Sequence, residues 1–205
     1  MTGDHRGIGR RERNKQDKRE RIMAAARELF AEHGVGSVTT QHVADRADVA
    51  IGTLFRYAST KAELLIMVQN EKFADAITEG LSDAGQEHGV LDGAMALIRP
   101  VVGCVRGQVE NGRTYLHELV FGDPTEPHRR EGLTQSARLE DGIAAVLQRD
   151  DRINDRDAAV LARVVTAIIH ISTTATLFID RSDDDVLTDI REQIHVALSL
   201  RGSNA

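Results

Sequence analysis

Tryptophan is absent from this sequence of 205 residues, and aromatics as a whole are scarce, with five Phe and two Tyr. Carbohydrate platforms and aromatic cages need several rings in one place, so this composition argues against both. The single cysteine, Cys104, leaves no internal disulfide and no cysteine-rich zinc site, and it suits a reducing compartment. Proline is rare, and strand-like alternation of Val, Ile, Thr and Tyr is missing, so an all-α chain is expected. An uncharged run over 164–179 has 16 residues, five of them Ser or Thr, which is too short and too polar for a membrane span. No apolar run follows the basic residues near Met1, so that stretch does not read as a secretory signal, and a cytoplasmic protein is expected.

Catalytic patterns are missing too. No nucleophile has a placed base, no phosphate loop is present, and no paired carboxylates stand out. Gly7-Ile8-Gly9 follows no strand and is not a dinucleotide fingerprint. His117-Glu118 fails the H-E-x-x-H spacing at Phe121, and the other histidines have no ligand spacing. No catalytic residue, metal ligand or cofactor is therefore assigned. Arg129-Arg130-Glu131 and Asp183-Asp184-Asp185 are explained by solvated faces.

The charge distribution is uneven. The net charge is −6, yet residues 1–72 carry 13 Lys/Arg against 10 Asp/Glu, while the remainder carries 13 against 22. Positive charge is concentrated where a nucleic-acid backbone would be met, and the acidic part is kept away from it.

What is present centres on Val38 to Leu65. Thr39 or Thr40 can cap a short helix whose Val43, Ala44 and Ala47 share one face. Asp48 and Val49 make a turn, and a second short helix over residues 50–57 hides Leu54. Ser59 or Thr60 caps a longer third helix, with Glu63 placed for a capping box. Two short helices joined by a tight turn form a helix-turn-helix, whose second helix enters the DNA major groove. The stretch resembles the TetR family of transcriptional regulators through Leu29-Phe30, Gly34, Thr39-Thr40, Val43-Ala44, Gly52-Thr53-Leu54-Phe55, Tyr57, Lys61 and Leu64-Leu65. Three positions depart from the family pattern. Asp48 stands at the usual turn glycine, Ala50 at the usual Ser or Thr cap, and Ala58 at a usual Phe.

Along the rest of the chain, residues 1–14 are expected to be a disordered basic arm with Arg6, Arg10, Arg11 and Arg13. A helix follows from about Lys15 to His33, ended by Gly34 in a left-handed cap. Lys18, Arg19 and Arg21 are placed to touch phosphate at its start. The helix from Thr60 runs to about Leu81. Residues 90–111 read as two short helices meeting near Pro100 or as one kinked helix. Further helices are expected over 113–122, over 127–149 with Leu133, Ala137, Ile143, Ala144 and Leu147 inward, from Asn154 or Asp155 to about Ile179, and over 184–200, with Gly202 beyond its end. The expected organisation is the arm over 1–14, a three-helix DNA-binding domain over 15–59, and a larger helical bundle for ligand binding and dimerisation over 60–205.

Residue chemistry and the resemblance together suggest site residues. Thr39, Thr40, Arg56, Tyr57 and Lys61 are expected at phosphates of double-stranded DNA. Gln41, Ile51, Thr53 and Phe55 are expected on the groove floor, with Gly52 permitting close approach. A pocket for an unidentified small-molecule effector is expected to draw on Met67, Met95, Arg99, Tyr115, His117, Phe121, His170 and Phe178. The resemblance implies that the last two long helices build a homodimer interface, here through Val164, Ile168, Ile171, Ser172, Ala175, Leu187, Ile190, Ile194 and Ala197. It implies a ligand-responsive regulator, most simply a repressor that releases a palindromic operator. A small α-helical enzyme and a helix-turn-helix used for protein contacts remain as other classes.

Overall fold

Side-chain caps start the helices at the positions the sequence marks. Thr39 Oγ1 accepts from His42 N at 3.1 Å, Thr60 Oγ1 from Glu63 N at 3.0 Å, and Asn154 Oδ1 from Asp157 N at 3.0 Å. The computed structural model describes residues 9–199. It contains α1 (Arg10–Ser37), α2 (Thr40–Arg46), α3 (Ile51–Leu54), α4 (Lys61–Ala84), α5 (Val90–Arg106), α6 (Val109–Phe121), α7 (Pro127–Leu147), α8 (Asp155–Thr174) and α9 (Asp183–Ser199), with a 3-10 turn at Thr176–Phe178. No strand occurs among the described residues. The fold is all-α, an N-terminal helix-turn-helix followed by a helical bundle.

Apolar residues gather in two cores. The first joins Ile22, Ala26 and Phe30 of α1 to Val43 and Ala44 of α2, Leu54 of α3, and Leu64, Leu65, Met67 and Val68 of α4. The second fills the bundle, from Phe73 and Ile77 of α4 through Leu97, Ile98 and Val101 of α5 to Ile190 and Ile194 of α9. The first two turns of α4 thus pack with α1 to α3, and the rest of the same rod packs in the bundle. Gly80 allows α4 and α5 their closest approach, because a Cβ there would lie 2.4 Å from Leu97 O.

Several sequence expectations need correction. Residues 10–14, assigned to a disordered arm, form the first turns of α1; residues 1–8 and Gly202 lie outside the described residues. α3 closes at Leu54, and residues up to Ala58 continue as turns, with Tyr57 N donating to Leu54 O at 2.8 Å. α5 passes through Pro100 as one helix, the second of the two expected alternatives, but it ends at Arg106 and α6 already starts at Val109. On α7, Leu133 and Ala137 are exposed, and the inward stripe is Leu139, Gly142, Ile143, Val146 and Leu147. α8 stops at Thr174, five residues short of the expected end, and Ala175 is extended at φ −66° and ψ 141°. Thr173 and Thr174 turn their hydroxyls back onto the Ile169 and His170 carbonyls at 2.7 and 2.6 Å, a habit that weakens a helix end.

Four of the expected interface residues also face inward. Ser172, Leu187, Ile190 and Ile194 are buried in the protomer's own core. The outward apolar stripe of α8 is instead Val160, Val164, Ala167 and Ile171, with Val196 exposed on α9. Ile168 and Ala197 border a cleft of about 430 Å³ between α8 and α9, and Ala175 is half-buried. α8 is long and apolar enough by length and composition to cross a membrane. It packs, however, against α5, α6, α7 and α9 as one rod of the bundle.

Candidate functional site

The helix-turn-helix is held by local bonds that the sequence motif encodes. Asp48 has φ +50°, so it takes the left-handed conformation the turn needs in place of glycine. Arg21 of α1 binds this turn, its Nη1 donating to Ala47 O at 3.0 Å and Asp48 O at 3.1 Å. That engagement takes Arg21 away from the phosphate role suggested by its place on α1. Arg19 lies 3.7 Å from Glu71, and Arg27 pairs with the same carboxylate at 2.6 Å. α1 is thereby fastened to both the turn and α4.

The residues expected at DNA lie on α2, α3 and the turns beside them, except Lys61, which opens α4. Thr39, Gln41, Gly52, Phe55 and Arg56 are exposed, and Thr40, Ile51, Thr53, Tyr57 and Lys61 are half-exposed. Phe55 keeps 46% of its surface in solvent, which is too much for a core residue of that size. Gln41 Nε2 donates to Asp45 Oδ1 at 2.7 Å, Lys61 Nζ to Gly36 O at 3.3 Å, and Tyr57 Oη to Lys15 O at 2.9 Å. Tyr57 therefore braces α1 with its hydroxyl. Ala50 supplies no side-chain cap to α3.

Two clamps join this unit to the bundle. α1 breaks at Gly34, with φ +73° and ψ 156°, a conformation open to glycine alone. Asn111 of α6 fills the break: its Nδ2 donates to Phe30 O at 2.7 Å, and its Oδ1 accepts from Val35 N at 2.7 Å. The second clamp is at the start of α7. His128 N donates to Glu63 Oε1 at 2.7 Å, and His128 Nε2 is 3.0 Å from Tyr57 O. Glu63 therefore does not close a capping box with Thr60; its carboxylate reaches across to α7. Burial pushes the Glu63 carboxyl above the usual range, opposed by the His128 backbone bond. Asn70 continues the network, donating to His128 O at 2.9 Å and accepting from Tyr115 Oη at 3.0 Å.

Between α4, α5, α6, α7 and α8 lies an apolar chamber of about 170 Å³. Phe73, Val101, Val105, Leu116, Leu119, Leu139 and Ile169 wall it, with Ser136, Thr166 and His170 as its polar members. A groove of about 630 Å³ runs outside it between α6 and α8, lined by Glu110, Arg113, Thr114, His117, Phe121, His170 and Thr174 among others. His170 borders both spaces. Burial, and then the neighbouring His117, push the His170 imidazole below its ordinary pKa. His117 in turn packs on Phe121, with ring centroids 5.0 Å apart.

Of the residues expected at an effector, the structure brings together His117, Phe121 and His170. Met67 lies in the helix-turn-helix core, and Met95 and Tyr115 are bundle core, with Tyr115 packed edge-on against Phe73 at 5.6 Å. Arg99 is on the exposed side of α5, and Phe178 lies under Arg181 at 5.6 Å. The chamber walls Val101, Val105, Leu116 and Leu139 escape sequence reasoning because core and cavity leucines look alike in one chain. Arg113 and Thr114 carry a weak signal, being polar residues on a helix that is otherwise half-apolar. Among the described residues, no cluster of three or more His, Cys, Asp or Glu side chains is arranged to hold a metal ion.

Residues 22–68, from the core face of α1 into α4, match the sequence model of bacterial regulatory proteins of the tetR family. The chain belongs to the TetR family. The HTH-type transcriptional repressor KstR of Rhodococcus jostii is 35% identical over 152 residues, covering 74% of this chain and 61% of KstR. KstR of Mycobacterium tuberculosis is 39% identical over 72 residues, covering 34% of this chain and 33% of KstR. The chain thus spans between 33% and 61% of the length of these relatives. Among solved structures, Thermus thermophilus FadR, a TetR-family repressor in complex with lauroyl-CoA, superimposes with a TM-score of 0.67 at 22% identity, covering 86% of this chain and 92% of FadR. A transcriptional regulator from Rhodococcus sp. RHA1 gives 0.67 at 19% identity, over 89% of this chain and 95% of the other. At these identities the two structures share the fold.

Proposed function

We propose that this TetR-family protein is a homodimeric transcriptional repressor that releases a palindromic operator when a small molecule enters its bundle. The observation that carries this reading is the double engagement of α6. Its first turn holds α1 through Asn111, and its later turns line the effector spaces with Leu116, Leu119, Arg113 and His117. A ligand that displaces α6 therefore pulls on the helix that carries the helix-turn-helix.

An apolar chamber beside a groove with Arg113, His117 and His170 suits a ligand with an apolar tail and an acidic, polar head. Lauroyl-CoA, the ligand in the T. thermophilus FadR complex, has that form. The chamber's 170 Å³ is below the roughly 300–1,000 Å³ of ordinary ligand clefts. A long tail enters only by parting α6 from its neighbours, which supplies the differential interaction between two states that a population shift requires.

The dimer places two recognition elements side by side, and successive major grooves on one face of DNA are about 34–36 Å apart. Val160, Val164, Ala167 and Ile171 of α8, with Val196 of α9, offer the partner an apolar face. An intracellular regulator of this kind works in the cytoplasm. The test is a mobility shift with DNA from upstream of the protein's own gene. A retarded band that lauroyl-CoA abolishes supports the proposal, and no retardation at micromolar protein and moderate salt refutes it.

A further inference from the structure

A further cleft, of about 540 Å³, lies between α4 and α5, with Ala31 of α1 and Asn111 of α6 at its end. It shares no lining residue with the effector chamber or its outer groove. One wall is a polar face of α4, where Gln69, Lys72, Asp75 and Glu79 recur at three- and four-residue spacing. The opposite wall is a face of α5 made of Pro100, Gly103, Cys104 and Gly107, none larger than a thiol or a ring of proline.

Three observations mark this cleft as a place for a ligand. Gln69 is only 6% exposed, it borders the cleft, and no described residue supplies its side-chain amide with a hydrogen bond. Its amide nitrogen and oxygen are not sealed from solvent, so the cleft is where they find partners. Lys72, Asp75 and Glu79 form no ion pair with another described residue, although all three border the same space. Gly103 opens the floor, since a Cβ there would meet nothing within 4 Å. Burial raises the Cys104 thiol to about 11, with Lys72 and Asp75 acting on it in opposite directions. The thiol is thus a neutral wall at physiological pH.

The charges select the occupant. A nucleotide or other polyanion would meet two carboxylates, a polyamine would meet Lys72, and an aliphatic chain would leave the Gln69 amide unpaired. We propose that the cleft is a second ligand site, taking a small zwitterionic metabolite of the amino-acid class. Its ammonium group sits against Asp75 and Glu79, its carboxylate faces Lys72, and its polar body is hydrogen-bonded by Gln69. Because Asn111 also grips Phe30 and Val35, an occupant here fixes α1 against α4 and α5 without entering the bundle.

The full chain is titrated with the twenty common amino acids one at a time, with putrescine and propionate as amine-only and acid-only probes, by thermal denaturation and calorimetry. At least one amino acid at millimolar concentration is expected to raise the midpoint, as any ligand of the native state does. Asp75→Asn should weaken that amino acid about tenfold, and Gly103→Leu, which fills the open floor, should abolish its binding. Native helicity and an unchanged response of Gly103→Leu to lauroyl-CoA verify that the variant is folded. The proposal is overturned if no amino acid raises the midpoint, if the rise survives Gly103→Leu, or if putrescine or propionate produces an equal rise.

Discussion

The side chain of Asn111 closes the break in α1 by accepting from Val35 N at 2.7 Å while donating to Phe30 O at the same distance. The partners are buried, and no water replaces either bond easily. Asn111→Leu leaves both backbone groups unpaired and should cost about 2–3 kcal/mol in urea unfolding. A loss under 0.5 kcal/mol would show that α1 is fastened elsewhere.

Contacts to phosphate and to bases are separable by salt. Lys61→Ala should weaken operator binding uniformly across sequences and reduce the slope of log affinity against log salt by about one unit. Gln41→Ala should leave that slope unchanged and cost about 1–3 kcal/mol at one base-pair position only. Fluorescence anisotropy over a salt series, on operator and point-mutated operator, measures both.

Outward and inward apolar residues of the last two helices should behave oppositely. Val164 and Ile171 keep 43% and 58% of their surface exposed, whereas Ile190 is fully buried. Ile171→Asp should yield a folded monomer at micromolar concentration in sedimentation experiments. Ile190→Asp should unfold the chain, since an unpaired buried carboxylate costs several kcal/mol.

Local structure was the legible part. The spacing of Val43, Ala44 and Ala47, the caps at Thr39 and Thr60, and the left-handed Asp48 are all decided within a few residues of themselves, and each is where the sequence places it. The faces of α7, α8 and α9 were harder because each carries apolar residues on more than one side. Periodicity finds such a helix but does not say which side meets its own core, so Leu187, Ile190 and Ile194 read as partner-facing although they are buried, and Leu133 reads as interior although it is exposed. Glu63 shows the same limit. Its spacing from Thr60 fits a capping box, and only the fold reveals that His128, 65 residues away, claims the carboxylate.

His170 makes stability depend on pH. Its folded pKa is depressed by burial and by His117, so the unfolded chain binds more protons in the interval below about 6.5. Stability from this residue is complete above the unfolded pKa and is lost as pH falls through that interval. His170→Gln should flatten the fall of the urea midpoint between about pH 6.5 and pH 5. An unchanged profile would assign the acid sensitivity to other groups.

The central claim is that ligand in the bundle alters the separation of two recognition elements held in a dimer. Pulsed electron–electron resonance reads this directly, with spin labels on His42→Cys, an exposed position of α2 outside the expected DNA contacts, in a Cys104→Ala background. In the operator complex, one narrow inter-protomer distance is expected, consistent with recognition elements about 34–36 Å apart. Lauroyl-CoA should shift that distance by several ångströms or broaden it as DNA is released. No inter-protomer distance, or the same narrow distance with ligand bound and DNA gone, would contradict the account.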